Sequence, residues 1–154
     1  VFCPGSSRWF GRSQVMPVRR LLDLGVAAYL AASTVDAVLA QRLVRVVCPS
    51  CKTETVPDKS VARRIDVKAL GVERIWKGKG CEACRNTGYR GRTGIYELLV
   101  MDAELRAEVQ QRRGSEELRT MGLQKGMRSL FDDGLRLVRA GVTTLDEVLR
   151  VARG

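Results

Sequence analysis

Four cysteines in two Cys-x-x-Cys pairs, Cys48-Pro49-Ser50-Cys51 and Cys81-Glu82-Ala83-Cys84, constrain this chain more than any other feature. Each pair places two sulfurs on one side of a tight knuckle. Two knuckles supply the four thiolates of a tetrahedral structural Zn²⁺ site. One pair alone also serves redox chemistry. Two pairs among small turn residues, in a chain without His, predict a zinc site at Cys48, Cys51, Cys81 and Cys84. Four free or disulfide-bonded cysteines are the alternative. A redox enzyme would set a Cys-x-x-Cys at the start of a helix after a core strand, and neither pair has that setting. The fifth cysteine, Cys3, lies far from the pairs in an irregular stretch. Val1 to Met16 lacks the charged-then-apolar order of a secretory signal. A reducing cytosol is therefore expected, where paired cysteines usually bind metal.

The 154 residues suffice for one ordinary domain or two small ones with a modest core. No apolar run reaches about 18 residues, so no transmembrane helix is expected. Lys and Arg total 27 against 17 Asp and Glu, a formal charge of +10. Four thiolates and one Zn²⁺ would lower this by about two units. A basic surface can meet nucleic acid, anionic lipid or nucleotide phosphates. Alternatively, the arginines simply solvate helices, and they are spread along the chain.

The hydrophobic pattern places the knuckles between two strands. Val18 to Leu24 reads as a short helix after Pro17, stopped by Gly25. Ser33 or Thr34 can cap a second helix with Val35, Val38 and Leu39 at helical spacing. The β-branched run 41–47 reads as a strand leading into the first knuckle. Twenty-nine residues, 52 to 80, separate Cys51 from Cys81. They are expected to hold a helical turn at Val61 to Ile65 and a short strand at Arg74 to Lys77. So small an insert buries little apolar surface, and metal binding would supply much of its folding free energy, about 10 kcal/mol or more. Gly91 to Val100 reads as the second strand, pairing antiparallel with the first if the metal pins their near ends. Helices follow: one capped by Asp102, one starting at Ser115, one carrying Met127, Leu130, Phe131, Leu135 and Val138, and a last one opened by the capping box Thr144-Leu145-Asp146-Glu147.

Ala40-Gln41-Arg42-Leu43-Val44-Arg45, the Cys48/Cys51 pair and the phrase from Gly80 to Leu98 together resemble a known family. Gly126-Met127-Arg128-Ser129-Leu130, Asp133-Gly134, Gly141-Val142-Thr143-Thr144 and Glu147-Val148 extend the likeness. The chain is similar to the C-terminal part of the type II secretion and type IV pilus assembly ATPases, from roughly Val18 onward. That resemblance implies an α/β, α-rich fold: the C-terminal part of a RecA-like ATPase domain, with a four-cysteine zinc-binding insertion and a C-terminal helical bundle. The expected segments are 1–16 irregular and non-native or disordered, 17–47 a remnant of the RecA-like core, 48–92 the zinc module, and 93–154 a strand plus helical subdomain. Val1 to Met16 departs from the family, and out-of-frame translation is the expectation for it.

The family implies a homo-hexameric motor on the cytoplasmic side of the bacterial inner membrane. There it uses ATP and Mg²⁺ to drive assembly with inner-membrane platform proteins. These 154 residues contain no Gly-x-x-x-x-Gly-Lys-Ser/Thr phosphate loop. They also lack an apolar strand ending in the acidic pair of a Walker B segment. The expectation is therefore a structural zinc site and partner contacts, with no catalytic residues, no nucleotide-binding residues and no activity of the chain alone.

The rival reading is a stand-alone zinc-ribbon nucleic-acid-binding protein, suggested by the charge and the paired knuckles. Aromatic content of 5% leaves few stacking platforms. A chaperone-type knuckle is weaker still, because only one approximate Cys-x-x-Cys-x-Gly-x-Gly copy exists. Arg42 and Arg92 either face a nucleotide or neighbouring subunit, or are strand-flanking surface charges. Glu97, inside an apolar strand, is expected to pair with an Arg across the hairpin.

Overall fold

The computed structural model describes residues 16–56 and 74–152. In chain order it has α1 (Met16–Asp23), α2 (Ala28–Thr34), β1 (Ala37–Val47), β2 (Lys52–Thr55), β3 (Ile75–Gly78), β4 (Tyr89–Val100), α3 (Ala103–Gln110), α4 (Ser115–Gln124), α5 (Leu130–Arg139) and α6 (Leu145–Ala152). The fold is thus mixed α/β. The helical turn expected at 61–65 and Cys3 lie outside the described residues.

β1 pairs with β4, and β2 with β3. At one end of the long pair Met101 N–H donates to Asp36 C=O at 2.9 Å, and at the other Cys48 N–H donates to Gly88 C=O at 2.9 Å. Those two bonds fix the long pair as antiparallel, as expected. β2 and β3 are also antiparallel, with Thr53 opposite Lys77 and Glu54 opposite Trp76.

Two compact units result, and the division falls within β1 and β4. Among the described residues the first unit holds 16–41 and 96–130. Its core joins Val18 from α1, Ala31 and Ala32 from α2, Leu99 from β4, and Leu105 and Val109 from α3. The second unit holds 42–56, 74–95 and 131–152. Its core joins Ile75 from β3 to Leu135 and Val138 from α5 and to Leu145, Val148 and Leu149 from α6. β3 and the last two helices therefore bury one another's apolar faces, although more than 50 residues separate Ile75 from Leu135 in the chain. Burial of this kind contributes roughly 25 cal/mol per Å² of apolar surface.

Several local expectations need correction. The helix expected from Ser33 or Thr34 onward is absent, because the chain is already helical from Ala28 and turns extended at Val35. The Ser33 and Thr34 hydroxyls donate back to Leu30 C=O at 3.1 and 2.7 Å, closing a helix rather than opening one. Val38 and Leu39 lie in β1, which begins four residues earlier than expected. α4, by contrast, starts at Ser115 as expected, and Glu117 Oε2 accepts from Gly114 N–H at 3.0 Å. α5 starts at Leu130, so Met127 lies before the helix and packs against the first core.

Other signals act as read. Asp102 accepts from Leu105 N–H at 2.9 Å and caps α3. α1 ends in paired bonds from Gly25 N–H to Leu22 C=O and from Val26 N–H to Leu21 C=O, at 3.1 and 3.0 Å.

Candidate metal centre

The two knuckles are short 3-10 turns, Pro49–Cys51 and Glu82–Cys84. Each follows a strand that brings it to the same place. β1 delivers Cys48 directly, since Val47 is its last residue. β3 delivers Cys81 through Lys79 and Gly80, and Lys79 N–H donates to Cys51 C=O at 3.1 Å. Each turn closes on its own first cysteine: Cys51 N–H donates to Cys48 C=O at 3.3 Å, and Cys84 N–H to Cys81 C=O at 3.2 Å.

All four sulfurs converge within 4.8 Å of one another. Cys48 and Cys81 are 3.9 Å apart, Cys51 and Cys84 3.9 Å, and Cys81 and Cys84 3.7 Å, sulfur to sulfur. None is bonded to another. Sulfurs set tetrahedrally around Zn²⁺ at about 2.3 Å lie about 3.8 Å apart. The cluster therefore has the dimensions of a four-thiolate zinc site, and the donor set fits a soft tetrahedral metal.

The backbone around the cluster suits negative charge. Cys84 Sγ accepts from Cys81 N–H at 3.2 Å and from Gly88 N–H at 3.3 Å. Burial opposes ionisation of Cys84, but these N–H groups and the neighbouring Cys81 and Cys51 outweigh it, bringing the thiol down to about 6. Burial dominates at Cys51, whose thiol is pushed up to about 11 despite an N–H from Gly80. One sulfur is thus readily ionised while its neighbour resists, as expected when four thiolates converge without a cation between them.

The second knuckle needs an unusual backbone. Arg85 and Asn86 both take left-handed conformations, with φ of 51° and 60°. The two bends let Asn86 N–H reach Cys81 C=O at 2.9 Å and Thr87 N–H reach Cys84 C=O at 3.1 Å. Gly78 then lies directly against Gly88. A Cβ on Gly78 would fall 2.1 Å from Gly88 C=O, backbone that cannot move aside. The contact brings the end of β3 against the start of β4, beside the cysteines.

A set of side chains ties this module to α6 within the second unit. Val47 N–H, next to Cys48, donates to Val142 C=O at 2.9 Å. Thr143 Oγ1 donates to Arg45 C=O at 2.7 Å. The buried Glu147 carboxylate accepts from Arg45 N–H at 3.1 Å, Arg45 Nη2 at 2.8 Å, and Arg150 Nε and Nη2 at 3.1 and 2.6 Å. Tyr89 stacks its ring 4.1 Å from the Arg45 guanidinium and shares a 2.9 Å hydrogen bond with Thr144 Oγ1. On the far side, Lys52 sits 4.3 Å over the Trp76 ring. Both press on Gly141, where a Cβ would fall 2.5 Å from Trp76 Cδ1 and 2.6 Å from Lys52 Nζ.

Sequence reasoning missed most of this network. Thr144 caps α6 by accepting Glu147 N–H at 3.2 Å, as the capping box requires. However, the Glu147 side chain turns to Arg45 and Arg150. The only signal was an acid in the first turn of a helix, which reads as a cap. Glu97 does not pair with an Arg across the hairpin. It is buried, its Oε2 accepts from Leu130 N–H at 3.2 Å, and its Oε1 has no hydrogen-bond partner among the described residues. Arg42 and Arg92 are exposed.

Comparison with known proteins places the chain. The model of a family described as Type II/IV secretion system protein matches residues 11–150. The chain is 44% identical over 139 residues to the type II secretion system protein HxcR of Pseudomonas aeruginosa, covering 90% of this chain and 26% of that protein. It is 41% identical over 134 residues to the type IV pilus assembly ATPase PilB of Thermus thermophilus, covering 86% and 15%. It is 40% identical over 136 residues to the type II secretion system ATPase E of Vibrio cholerae, covering 88% and 27%. The chain thus spans about a quarter or less of these relatives. Among the described residues no helix is long and apolar enough to cross a membrane.

Proposed function

The chain belongs to the type II/IV secretion system protein family, and we propose that it serves as the zinc-bearing C-terminal module of a motor ATPase that powers type II secretion or type IV pilus assembly. The observation that carries this reading is the four-sulfur cluster of Cys48, Cys51, Cys81 and Cys84, at tetrahedral spacing, inside a chain about 40% identical to secretion and pilus ATPases. Zn²⁺ bound there would stabilise the second unit and do no chemistry on a substrate. The chain itself brings structure and contacts. Its 154 residues hold no phosphate loop, so ATP and Mg²⁺ belong to the longer protein.

On this reading β1, β4 and the first helices continue a RecA-like core, and the later helices form its C-terminal part. The assembled motor is a homo-hexamer at the cytoplasmic face of the inner membrane, working against platform proteins there. Nucleic acid is not its partner. Two measurements on the purified chain test the proposal. Elemental analysis should find one zinc per chain, and an assay with ATP and Mg²⁺ should find no turnover. Absence of stoichiometric metal, or robust hydrolysis by the chain alone, would overturn it.

A further inference from the structure

The four sulfurs of the cluster differ in their access to solvent and in their neighbours. Cys51 and Cys81 are half-buried, whereas Cys48 and Cys84 are buried. Each half-buried sulfur faces a buried one on the other knuckle. Cys81 lies 3.9 Å from Cys48, and Cys51 lies 3.9 Å from Cys84. These two contacts share no cysteine and together use all four. The 3.7 Å contact between Cys81 and Cys84 stays inside one knuckle. Pairing along it would take from Cys48 and from Cys51 the sulfur that each touches at 3.9 Å. A sulfur open to an oxidant, poised beside a second sulfur that can resolve it, is the arrangement of a reversible thiol switch.

We propose that the cluster is a peroxide-responsive switch: oxidation joins Cys48 to Cys81 and Cys51 to Cys84 in two cross-knuckle disulfides, which release the metal and keep the module closed. The inference rests on the zinc reading above and adds a metal-free closed state to it. The oxidant is a hydroperoxide, and the half-buried sulfur of each pair reacts first, as the thiolate it is in a metal site. It attacks one peroxide oxygen, the O–O bond breaks, and the departing oxygen takes a proton and leaves as water. The buried partner thiolate then attacks the sulfenic sulfur. The S–O bond breaks, and the hydroxide leaves as a second water after taking another proton. Each pair thus gives two electrons to one peroxide and consumes two protons, so two peroxides discharge the cluster. No thiolate then remains to hold Zn²⁺. The sulfurs must close from 3.9 Å to about 2.05 Å. Backbone bonds already hold the knuckles together for this step: Lys79 N–H to Cys51 C=O at 3.1 Å, and Cys48 N–H to Gly88 C=O at 2.9 Å. Cross-knuckle disulfides join the same two knuckles that four thiolates on one cation would join. Disulfides within each knuckle would close two small loops and leave the knuckles free to part.

The test uses the full chain with Cys3→Ser, so that the cluster alone can pair. Zinc content is measured first. Hydrogen peroxide is then added, metal release is followed with a chromophoric chelator, and remaining thiols are blocked before digestion with trypsin under non-reducing conditions. Cleavage after Arg45, Lys52, Lys79 and Arg85 puts Cys48 and Cys51 on one peptide, 46–52, and Cys81 and Cys84 on another, 80–85. Cross-knuckle disulfides should link the two peptides, whereas within-knuckle disulfides would leave them separate. Backbone fragmentation of the linked species should assign Cys48 to Cys81 and Cys51 to Cys84. All bound zinc should be lost, yet hydrogen exchange in β2 and β3 should stay near that of the zinc-loaded chain and well below that of a reduced chain stripped by chelation. Dithiothreitol with Zn²⁺ should restore the starting state. Separate, internally bridged peptides would overturn the switch, as would linkage of Cys48 to Cys84, or sulfinic and sulfonic acids in place of disulfides. Exchange in β3 as fast as in the chelated chain would overturn it too. Failure of the zinc reading would show in the starting metal content, failure of the switch in the peptide map.

Discussion

Arg45 and Glu147 meet at 2.8 Å across 102 residues of chain. Arg45 lies three residues before Cys48, the first cysteine of the cluster, and Glu147 lies in the first turn of α6. The pair joins the strand that delivers Cys48 to the element that ends the fold. Glu147 has no exposed side-chain surface, whereas Arg45 keeps about half of its own in solvent. The charge buried on one side is thus compensated from a partly wet partner, with Arg150 beside it. Removing one member of such a set leaves the other unpaired, which costs more than the net worth of the pair.

Glu147→Gln should therefore destabilise the protein in a pH-dependent way. Burial opposes ionisation of Glu147, but the Arg150 and Arg45 side chains and the Arg45 N–H outweigh it and hold the carboxyl at about 2, below its ordinary 4.5. A depressed folded value contributes stability that is complete above the unfolded value and lost as pH falls through the folded one. At pH 7 the variant should be less stable by about 2 kcal/mol, and the difference should shrink between about pH 5 and 2. Urea midpoints of both proteins across that range provide the check. Acid release of metal affects both alike, so the difference isolates Glu147. A gap that stays constant with pH would show that the carboxylate is not the cause.

Chelation should unfold the second unit before the first. Ile75 is the only β3 residue in the second core, and the cysteines hold β3 in place. Without metal, four converging thiols of such unequal acidity have little to hold them together. Hydrogen exchange of β2, β3 and α6 should accelerate on adding a strong chelator, while Leu105 and Val109 in the first core keep their protection. Replacing zinc with Co²⁺ should give the intense thiolate-to-metal absorption of a four-sulfur site, and Cys84→Ser should abolish it. Uniform exchange across both units would argue against metal as the local staple.

Leu105→Ala and Leu98→Ala should separate sharply. Leu105 is 1% exposed in the first core and Leu98 is 48% exposed on the outer sheet face. The first substitution should cost about 2–5 kcal/mol by transfer and cavity. The second should cost well under about 1 kcal/mol in the isolated chain. Thermal or urea unfolding of the two variants decides the ordering, and equal losses would mean the outer face is buried in solution.

The convergence of the four cysteines was legible in the sequence almost completely. Two Cys-x-x-Cys pairs need no tertiary information to predict a four-sulfur cluster, because the ligand spacing itself encodes the knuckle. Caps with a local cause were also legible, as at Asp102, whose carboxylate serves a backbone N–H three residues away. What failed was non-local or ambiguous. Ser33 and Thr34 cap a helix in either direction, and only the backbone shows that they bond back to Leu30. Glu147 reads as a capping acid until Arg45, far upstream, is seen to claim it. The core shared by Ile75 and the last two helices had no signature, since each contributes an ordinary apolar stripe. Glu97 was misassigned for the same reason: its partner is the backbone N–H of Leu130, which no pattern of side chains announces.

Gly141→Ala should loosen the metal module from the last helices. Gly141 has φ of +67° and carries Trp76 and Lys52 directly above it. Both the left-handed backbone and the missing space oppose a methyl group, and the two effects together should cost about 1–3 kcal/mol. Trp76 reports on the outcome if Trp9 is first replaced by Phe. Its emission should shift red and become more accessible to quenchers, with zinc still bound. An unchanged spectrum would mean that the indole does not rest on this turn.

Gly78→Ala should strike the metal site itself without touching a ligand. The methyl group would lie 2.1 Å from Gly88 C=O and within 2.7 Å of two further Gly88 backbone atoms. Nothing there is the flexible end of a side chain, so β3 and the start of β4 must part. Gly88 N–H is one of the two donors to Cys84 Sγ, and Gly88 C=O accepts from Cys48 N–H. Moving Gly88 therefore disturbs one cysteine from each knuckle and withdraws a donor from the sulfur most easily ionised. Loss of such outer-shell support typically weakens metal affinity by about 10–100-fold, and competition with a chromophoric chelator would measure it. Gly91→Ala is the matched control: Gly91 also has positive φ, but a Cβ there meets nothing within 4 Å. Its backbone strain should reduce stability while leaving zinc affinity near that of wild type. Equal loss of affinity in both variants would trace the effect to general destabilisation of β4, and the Gly78–Gly88 contact would lose its special role.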